Sequence, residues 1–182
     1  IYAQNTYIGN GTNQTILEMK NDIIFGGSLT VRANSALDVN TRDITVTEHL
    51  ALAANSLTGF KIYTDDITAT GSSTGVPSGS ITTDTLTIDN NAIIKVNYVG
   101  TLYGAGSYNL VSANSILGTY YGTEANGKVS DNSIIDSIIK VDGNNLILFA
   151  DRTGGGSYGV EDLYIKKSEI GQHYSNGASE AL

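Results

Sequence analysis

The sequence predicts an all-β protein built as a right-handed parallel β-helix, with three strands in each coil of about 21 residues. The dipeptide Asp-Ile recurs at Asp22-Ile23, Asp43-Ile44 and Asp66-Ile67, and a looser copy begins at Asp84. Short runs of alternating apolar and polar residues begin roughly every seven positions. Units this short can bury apolar surface only against neighbouring copies, and this is typical of a stacked solenoid.

The composition favours strands and excludes several functions. Charged residues are 15% of the chain, with 21 glycines and one proline. The net charge of −8 argues against a nucleic-acid partner, because phosphates require Lys and Arg clusters and only Lys166 and Lys167 are adjacent. The absence of Cys excludes disulfides and thiolate metal sites. Because the chain starts at Ile1 without a signal peptide, we expect it to be a piece of a longer protein.

The first 99 residues divide into short strands separated by Asn, Gly, Ser, Thr and Asp. Apolar and polar residues alternate in most of these strands, so one face of each is expected to be buried. Equivalent positions of successive coils should stack, which places Leu29 beside Leu50 and Leu37 beside Leu57. The predicted strands are 15–19, 22–25, 28–31, 36–39, 43–46, 49–52 and 60–63.

An antiparallel sandwich is the alternative architecture. The hairpin signal Asn-Gly begins at Asn10, Asn126 and Asn176, outside the repeated strands, and matching positions recur across whole repeats. Both observations favour the β-helix. Residues 70–80, which are rich in Gly and Ser, are predicted to be a loop that bulges from one coil. This loop is either a surface insertion, which we favour, or a binding loop.

Residues 106–150 carry a resemblance to a known family. They read GSYNLVSA at 106–113, ILGTY at 116–120, and SIIKVDGNNLIL at 137–148. This order resembles the C-terminal passenger segment of bacterial type V autotransporters, where a G-x-Y-x-L strand leads to a G-x-Y turn and a G-N-x-L-x-L strand. The composition is similar to that of epsilonproteobacterial passengers of the vacuolating-cytotoxin kind. The family's membrane barrel, signal peptide and protease triad are not in this sequence.

The resemblance implies three regions: β-helix coils at 1–99, a cap or autochaperone segment at 100–170, and the start of a linker helix at 171–182. The linker would lead to an outer-membrane β-barrel in the full-length protein. The resemblance also implies a secreted or surface-exposed virulence protein of a Gram-negative bacterium that acts as an adhesin. Its partner would be a host-cell surface protein or glycan, and self-association is a further expectation.

The cap segment has the densest run of large apolar residues in the chain. A solenoid coil cannot bury its apolar face alone, so the first coils to fold need a stable template. We expect the apolar side chains of the cap to bury together and to nucleate folding. The predicted template core consists of Tyr108, Leu110, Val111, Ile139, Val141, Leu146 and Leu148.

Several carboxylates are candidates for the chemistry of a glycan-cleaving β-helix. Glycoside hydrolysis needs two carboxylates about 5–9 Å apart in one groove, and stacked coils would bring Asp43, Asp66 and Asp84 close together. Asp65 and Asp89 are further candidates. However, Asp at a strand start also satisfies the backbone N–H groups of a turn, and a residue repeated in every coil is architectural. We therefore expect no catalytic residues.

No cofactor or metal site is expected either. His49 and His173 lack the spacing of metal ligands, and Gly154-Gly155-Gly156 is not followed by the Gly-Lys-Ser/Thr of a phosphate loop. Tyrosines near the cap would form an exposed surface for sugar or protein, although packing in the core is the alternative that we favour. These residues are Tyr98, Tyr103, Tyr120 and Tyr121.

The sequence leads to one function and two alternatives. The leading prediction is a non-enzymatic passenger whose β-helical scaffold carries a folding template at its C-terminal end. The first alternative is a β-helical carbohydrate-active enzyme or a tailspike-like glycan-binding domain. The second is a toxin-type passenger that associates with its own copies.

Overall fold

The computed structural model describes residues 4–67, 78–102, 104–130, 132 and 134–152. Within these ranges the chain forms β-strands and one 3₁₀ turn, Thr64–Asp66, and none of its helices is long and apolar enough to span a membrane. The strands are β1 (Asn5–Ile8), β2 (Thr15–Glu18), β3 (Ile23–Phe25), β4 (Ser28–Val31), β5 (Ser35–Asn40), β6 (Asp43–Leu52), β7 (Leu57–Tyr63), β8 (Ser80–Ile88), β9 (Ile93–Val99), β10 (Gly106–Leu117), β11 (Tyr121–Thr123), β12 (Ile135–Asp142) and β13 (Asn145–Arg152).

The strands assemble into two hydrogen-bonded sheets. The larger sheet has the order β1-β4-β6-β8-β10-β13-β12-β11, with β3 also on β6, and the smaller sheet has the order β2-β5-β7-β9. All pairings among β1 to β10 are parallel. After β4, successive strands up to β10 belong alternately to the smaller and the larger sheet. Each strand from β4 to β8 therefore pairs with the strand that comes two elements later in the chain, for example β4 with β6 and β5 with β7. The all-β prediction is confirmed, and the sheets are parallel in this part of the chain.

The register confirms one of the two predicted side-chain alignments. Leu29 pairs with Leu50, as the repeat predicts. Leu37, however, pairs with Thr58 rather than with Leu57. The prediction was one residue out because the turns before the two strands set an offset of 21 positions rather than 20.

The Asp-Ile repeat is only partly in register. Ile23 pairs with Ile44, so the first two copies do stack. The partner of Ile44 in the next strand is Ile81, whereas Asp66 belongs to the 3₁₀ turn that follows β7. The expectation that the third copy continues the stack was therefore wrong, because additional residues precede β8.

The predicted strands 43–46 and 49–52 form one continuous strand, β6. A register shift between Val46 and His49 accommodates the residues between them when β6 pairs with β8. A bulge of this kind adds residues to one strand while the pairing continues on both sides. The two apolar runs are therefore separated by an irregularity in one strand rather than by a turn.

Alternate residues of the strands point inward and form one apolar cluster. This alternation follows from the strand geometry, in which successive side chains lie on opposite faces. The largest fully buried side chains come from both sheets and from the C-terminal strands. They are Phe25, Leu29, Leu37, Ile44, Leu50, Leu52, Ile62, Ile81, Leu86, Ile94, Leu110 and Ile139.

The pairing changes direction at β10. The later part of β10 pairs in parallel with β8, and its earlier part pairs antiparallel with β13. The strands β12 and β13 form an antiparallel hairpin whose turn contains Gly143 in the left-handed region (φ 58°), and β11 pairs with β12. Parallel stacking thus extends to Leu117, past the predicted region boundary at residue 99, and ends against an antiparallel unit.

Candidate functional site

The predicted template core lies together in the C-terminal strands. Leu148 of β13 pairs with Tyr108 of β10 on one side and with Ile139 of β12 on the other. The fully buried members of the predicted set are Leu110, Val111, Ile139, Leu146 and Leu148, and its partly buried members, Tyr108 and Val141, pack against the same cluster. All seven side chains belong to or pack against the apolar cluster, and their role in folding remains a prediction.

Tyr108 also connects the cap to the parallel strands. Its hydroxyl donates a hydrogen bond of 3.1 Å to the backbone carbonyl of Ser78. Burial raises the pKa of Tyr108 to about 12, and the negative charges of Asp66 and Asp43 act in the same direction. This side chain is therefore a structural contact between two parts of the fold.

The predicted aromatic surface is only partly formed. Tyr121 is 53% exposed, whereas Tyr98 is half-buried and shares a hydrogen bond with Ser137. Burial raises the pKa of Tyr98 to about 12, while the hydrogen bond to Ser137 lowers it. Tyr103 lies outside the described residues.

Tyr120 does not contribute to an exposed surface. It is 3% exposed, and its hydroxyl lies 3.0 Å from the carbonyl oxygen of Ala92 and 3.1 Å from that of Lys128. Burial raises the pKa of its phenol. Of the two alternatives for this residue, the structure shows core packing, the one favoured from the sequence, and the hydroxyl can donate its one proton to either carbonyl.

The candidate carboxylates are engaged in separate local contacts. Asp66 accepts hydrogen bonds from both the backbone N–H and the hydroxyl of Ser78. Asp84 accepts one from the Asn114 side chain, and Asp89 accepts one from the backbone N–H of Asn91. Asp43 accepts one from the Ser80 hydroxyl. Each contact is of the kind that satisfies a turn or joins neighbouring strands.

Of the remaining candidates, His49 and Asp65 lie within the described residues. His49 lies on β6, with Nε2 2.7 Å from Oγ1 of Thr87 on the neighbouring strand. In the described part of the chain there is no group of three His, Cys, Asp or Glu residues that could hold a metal ion. Asp65 is exposed, and residues 154–156 and His173 lie outside the described ranges.

The structure shows a trough that the sequence did not predict. It has a volume of about 720 Å³ and lies on the outer face of the four-stranded sheet. This volume is within the range of small-ligand sites. Side chains of all four strands line it, and residues near 130 form its edge. Its lining includes Gln14, Ile16, Ala36, Asp38, Asn40, Leu57, Gly59, Lys61, Lys95, Asn97, Ser130 and Asn132.

The register orders these side chains into rows across the sheet. Asp38, Gly59 and Lys95 lie in one row on three successive strands. Asp38 and Lys95 are thus separated by two strand spacings, about 10 Å. Lys61, two residues after Gly59, lies opposite Asn97. Gly59 therefore lies between the Asp38 carboxylate and Lys95 in this row, and Lys61 lies in the next row on the same strand as Gly59.

The side chains of the two lysines in the trough have no partner within the described part of the chain. Within the described residues, neither Lys61 nor Lys95 forms an ion pair or donates a side-chain hydrogen bond. Other cations do have contacts: Lys20 pairs with Glu18, and Lys140 lies 4.8 Å from the centroid of the Phe149 ring. The signal in the sequence was the combination of a strand glycine with lysines on the same face, which becomes visible only when the strands are placed side by side.

Comparison with known proteins gave no match of this chain to a family model, to a curated protein or to a solved structure. The functional inference consequently depends on the sequence and on the geometry of the fold. Two features carry it: the antiparallel unit that ends the parallel strands, and the trough on the four-stranded sheet.

Proposed function

We propose that the chain is a non-enzymatic passenger segment of a type V autotransporter, a right-handed parallel β-helix whose C-terminal strands form the template on which the coils fold. In this proposal the protein is exposed at the surface of a Gram-negative bacterium, and its full-length form continues into an outer-membrane barrel. The scaffold presents a surface for adhesion to a host-cell protein or glycan.

The observation that carries this proposal is the change of pairing at β10. The last strand of a parallel stack leaves a row of unpaired backbone groups, and such an edge recruits further strands. Here β13 pairs with that side of β10 in the antiparallel direction, and β12 and β11 continue outward from it. Residues 106–112 of β10 thus have an antiparallel partner at the C-terminal end of the parallel strands, and this supports a capping role.

The connectivity of the cap also supports an early folding role. The contacts between β12 and β13 join residues close in the sequence, from Val141↔Leu146 at the turn to Ile135↔Arg152 at the far end. Such local contacts form quickly, because the loop that must close is short. The parallel pairs instead join residues separated by 20 or more positions, such as Leu29 and Leu50. The β12–β13 hairpin can therefore form before the parallel stack, and β10 pairs with it afterwards through residues 33 to 44 positions apart, such as Ser112↔Asn145 and Gly106↔Ala150.

Hydrogen exchange during refolding tests the template role. The 182-residue chain is unfolded in denaturant, diluted, and pulse-labelled at increasing times. We expect backbone amides of 106–152 to become protected before those of 28–63. Protection that appears first in β4 to β7, or at the same time in both regions, would contradict the template role.

The coding sequence downstream of residue 182 tests the secretion role. An autotransporter would continue for roughly 300 residues with alternating segments of about 10 residues, the pattern of outer-membrane strands. A stop codon directly after residue 182, or a following domain without that pattern, would exclude this part of the proposal. The refolding experiment would still test the template role of the C-terminal strands in that case.

A further inference from the structure

The floor of the trough is formed by a glycine, Gly59, that lies opposite a register irregularity in β5, between Asp38 and Asn40. Gly59 lies in the middle of β7, where glycine weakens a strand because it loses more conformational freedom than other residues. Its backbone is not in the left-handed region, and a Cβ added to it would lie 3.5 Å from Oδ1 of Asp38, an ordinary contact. An alanine would therefore fit at this position and would restrict the unfolded chain. Glycine in a strand interior is typical of a bulge, which the irregularity opposite Gly59 indicates, and of a place where a ligand approaches the backbone closely. In both cases the missing side chain leaves the backbone at the floor of the trough open.

The charges around this floor are arranged for an anionic ligand with hydroxyl groups. Lys61 and Lys95 have no counterion within the described residues, although the chain carries 18 acidic residues against 10 basic ones. Asp38 uses Oδ1 to accept the backbone N–H of Asn40 at 3.0 Å. Its second oxygen, Oδ2, can accept a hydrogen bond from a hydroxyl group of a ligand. A ligand above Gly59 would thus meet an acceptor on one side and cations on the other.

The rest of the lining provides the contacts that sugar rings use. Side-chain amides of Gln14, Asn40 and Asn97 can both donate to and accept from hydroxyl groups. Ile16, which is 63% exposed, pairs in register with Ala36, and Ala36 with Leu57, so an apolar row lies beside the polar one. The four strands together span roughly 14 Å, which is the length of a short oligosaccharide.

We propose that this trough binds an acidic oligosaccharide. Its anionic groups lie beside Lys61 and Lys95, its hydroxyls bond to Asp38 and the amides, and one ring lies flat over Gly59. The proposal rests on the adhesive role proposed above and gives that role a site and a ligand class.

Two other classes of ligand fit the trough less well. A peptide that binds by strand addition pairs along an edge strand, here β2 or β9, whereas Asp38, Gly59 and Lys61 lie on β5 and β7, which are paired on both sides. Nucleic acid would bring a dense row of phosphates to a protein of net charge −8, with Asp38 in the trough itself. An oligosaccharide needs neither the free backbone groups of an edge strand nor a strongly basic surface.

The test is calorimetric titration of the folded 182-residue chain with three acidic probes: tetragalacturonate, sialyllactose and a heparin tetrasaccharide. We expect at least one to bind, with affinity that falls as salt rises. The uncharged partners, methyl-esterified tetragalacturonate and lactose, should bind at least tenfold more weakly. Tetraglutamate serves as the anionic peptide probe. No binding of the three acidic sugars, or equal binding of tetraglutamate, would overturn the proposal.

Three variants at the trough and one control variant locate the site. Lys61→Met and Lys95→Met should each weaken binding of the acidic sugar at least fivefold, whereas Lys140→Met, the same charge change on β12, should leave it unchanged. Gly59→Val should abolish binding while the melting temperature stays the same or rises. Undiminished binding by Gly59→Val, with the variant folded, would place the ligand elsewhere and overturn the proposal. These results concern the folded chain only, so they are independent of the refolding experiment.

Discussion

Asn34 and Asn55 adopt the same left-handed backbone conformation, with φ of 59° and 58°, and the N–H of Asn34 donates a 3.0 Å hydrogen bond to the carbonyl of Asn55. The N–H of Asn55 in turn donates to the carbonyl of Asn91. These asparagines form the turns that lead into the smaller sheet. Asparagine tolerates this conformation better than other residues that carry a Cβ. The stacked turns thereby fix the register of the strands that follow.

The first prediction tests this turn. Asn55→Ala should lower the free energy of unfolding by about 1–2 kcal/mol, because an L-residue with a simple Cβ is strained in the left-handed region. Asn55→Gly should change it much less, because glycine adopts that conformation readily. Urea denaturation of both variants measures the difference. Equal losses would mean that the backbone conformation is not the reason for asparagine here.

The second prediction concerns the cap. Leu148 is fully buried between β10 and β12, so Leu148→Asp places a charge without a partner in the core and should cost at least 4 kcal/mol. If the cap supports the whole stack, the N-terminal strands should lose protease resistance together with the C-terminal ones. Limited proteolysis with mass spectrometry shows which segments are cleaved.

Ile138→Asp is the matched control, because Ile138 is 38% exposed on the outer face of β12. It introduces the same carboxylate close to the same hairpin and should leave protease resistance nearly unchanged. If Leu148→Asp affects only the C-terminal strands, the cap is an independent unit and not a support for the stack.

The third prediction compares two glycines. A Cβ at Gly79 would lie 2.1 Å from the backbone oxygen of Asn40, far closer than real contacts allow. Gly79→Ala should therefore force the backbones apart and destabilise the fold by at least 2 kcal/mol. Gly59→Ala should be neutral or stabilising by up to about 1 kcal/mol, since its Cβ has room and alanine restricts the unfolded chain. Thermal denaturation of the two variants separates these outcomes.

The fourth prediction concerns alkaline pH. Burial raises the pKa of Tyr98 and of Tyr108 to about 12, above the usual value of 10. The unfolded chain therefore loses these protons first as pH rises. The stability that neutral tyrosine provides is complete below pH 10 and is lost between pH 10 and 12. The urea concentration at the midpoint of unfolding, measured from pH 8 to 12, should therefore decrease between pH 10 and pH 12.

Phenylalanine variants identify the groups responsible. Tyr98→Phe and Tyr108→Phe remove the titrating hydroxyls, so each should make the alkaline loss of stability less steep. Tyr121→Phe, at an exposed position, should leave the steepness unchanged. A pH dependence that is the same in Tyr98→Phe, Tyr108→Phe and the unmodified chain would exclude these two tyrosines as its cause.

Much of the candidate site could not be predicted from the sequence, for a geometric reason. Asp38, Gly59 and Lys95 are separated by more than 20 positions each, and only the register of β5, β7 and β9 places them in one row. The repeated carboxylates, by contrast, can be recognised from the sequence, because the Asp-Ile dipeptides recur at regular spacing along the chain. Their hydrogen bonds show that they satisfy turns and neighbouring strands.

The sequence by itself determined which residues form strands and which side of each strand is buried. Alternation of apolar and polar residues has the period of a β-strand, and burial of apolar side chains then selects the inner face. It also determined the stacking of Leu29 on Leu50, because both lie at the same distance from equivalent turns.

Only the tertiary structure decided which copies of the repeat stack and where the stack ends. Ile81 rather than Ile67 continues the row of Ile44, because backbone pairing follows the chain after its additional residues and not the count of positions. Likewise, the antiparallel partner of β10 depends on the β12–β13 hairpin that follows it. Pairing between distant strands is set by the competition of all available edges, and no local pattern encodes that competition.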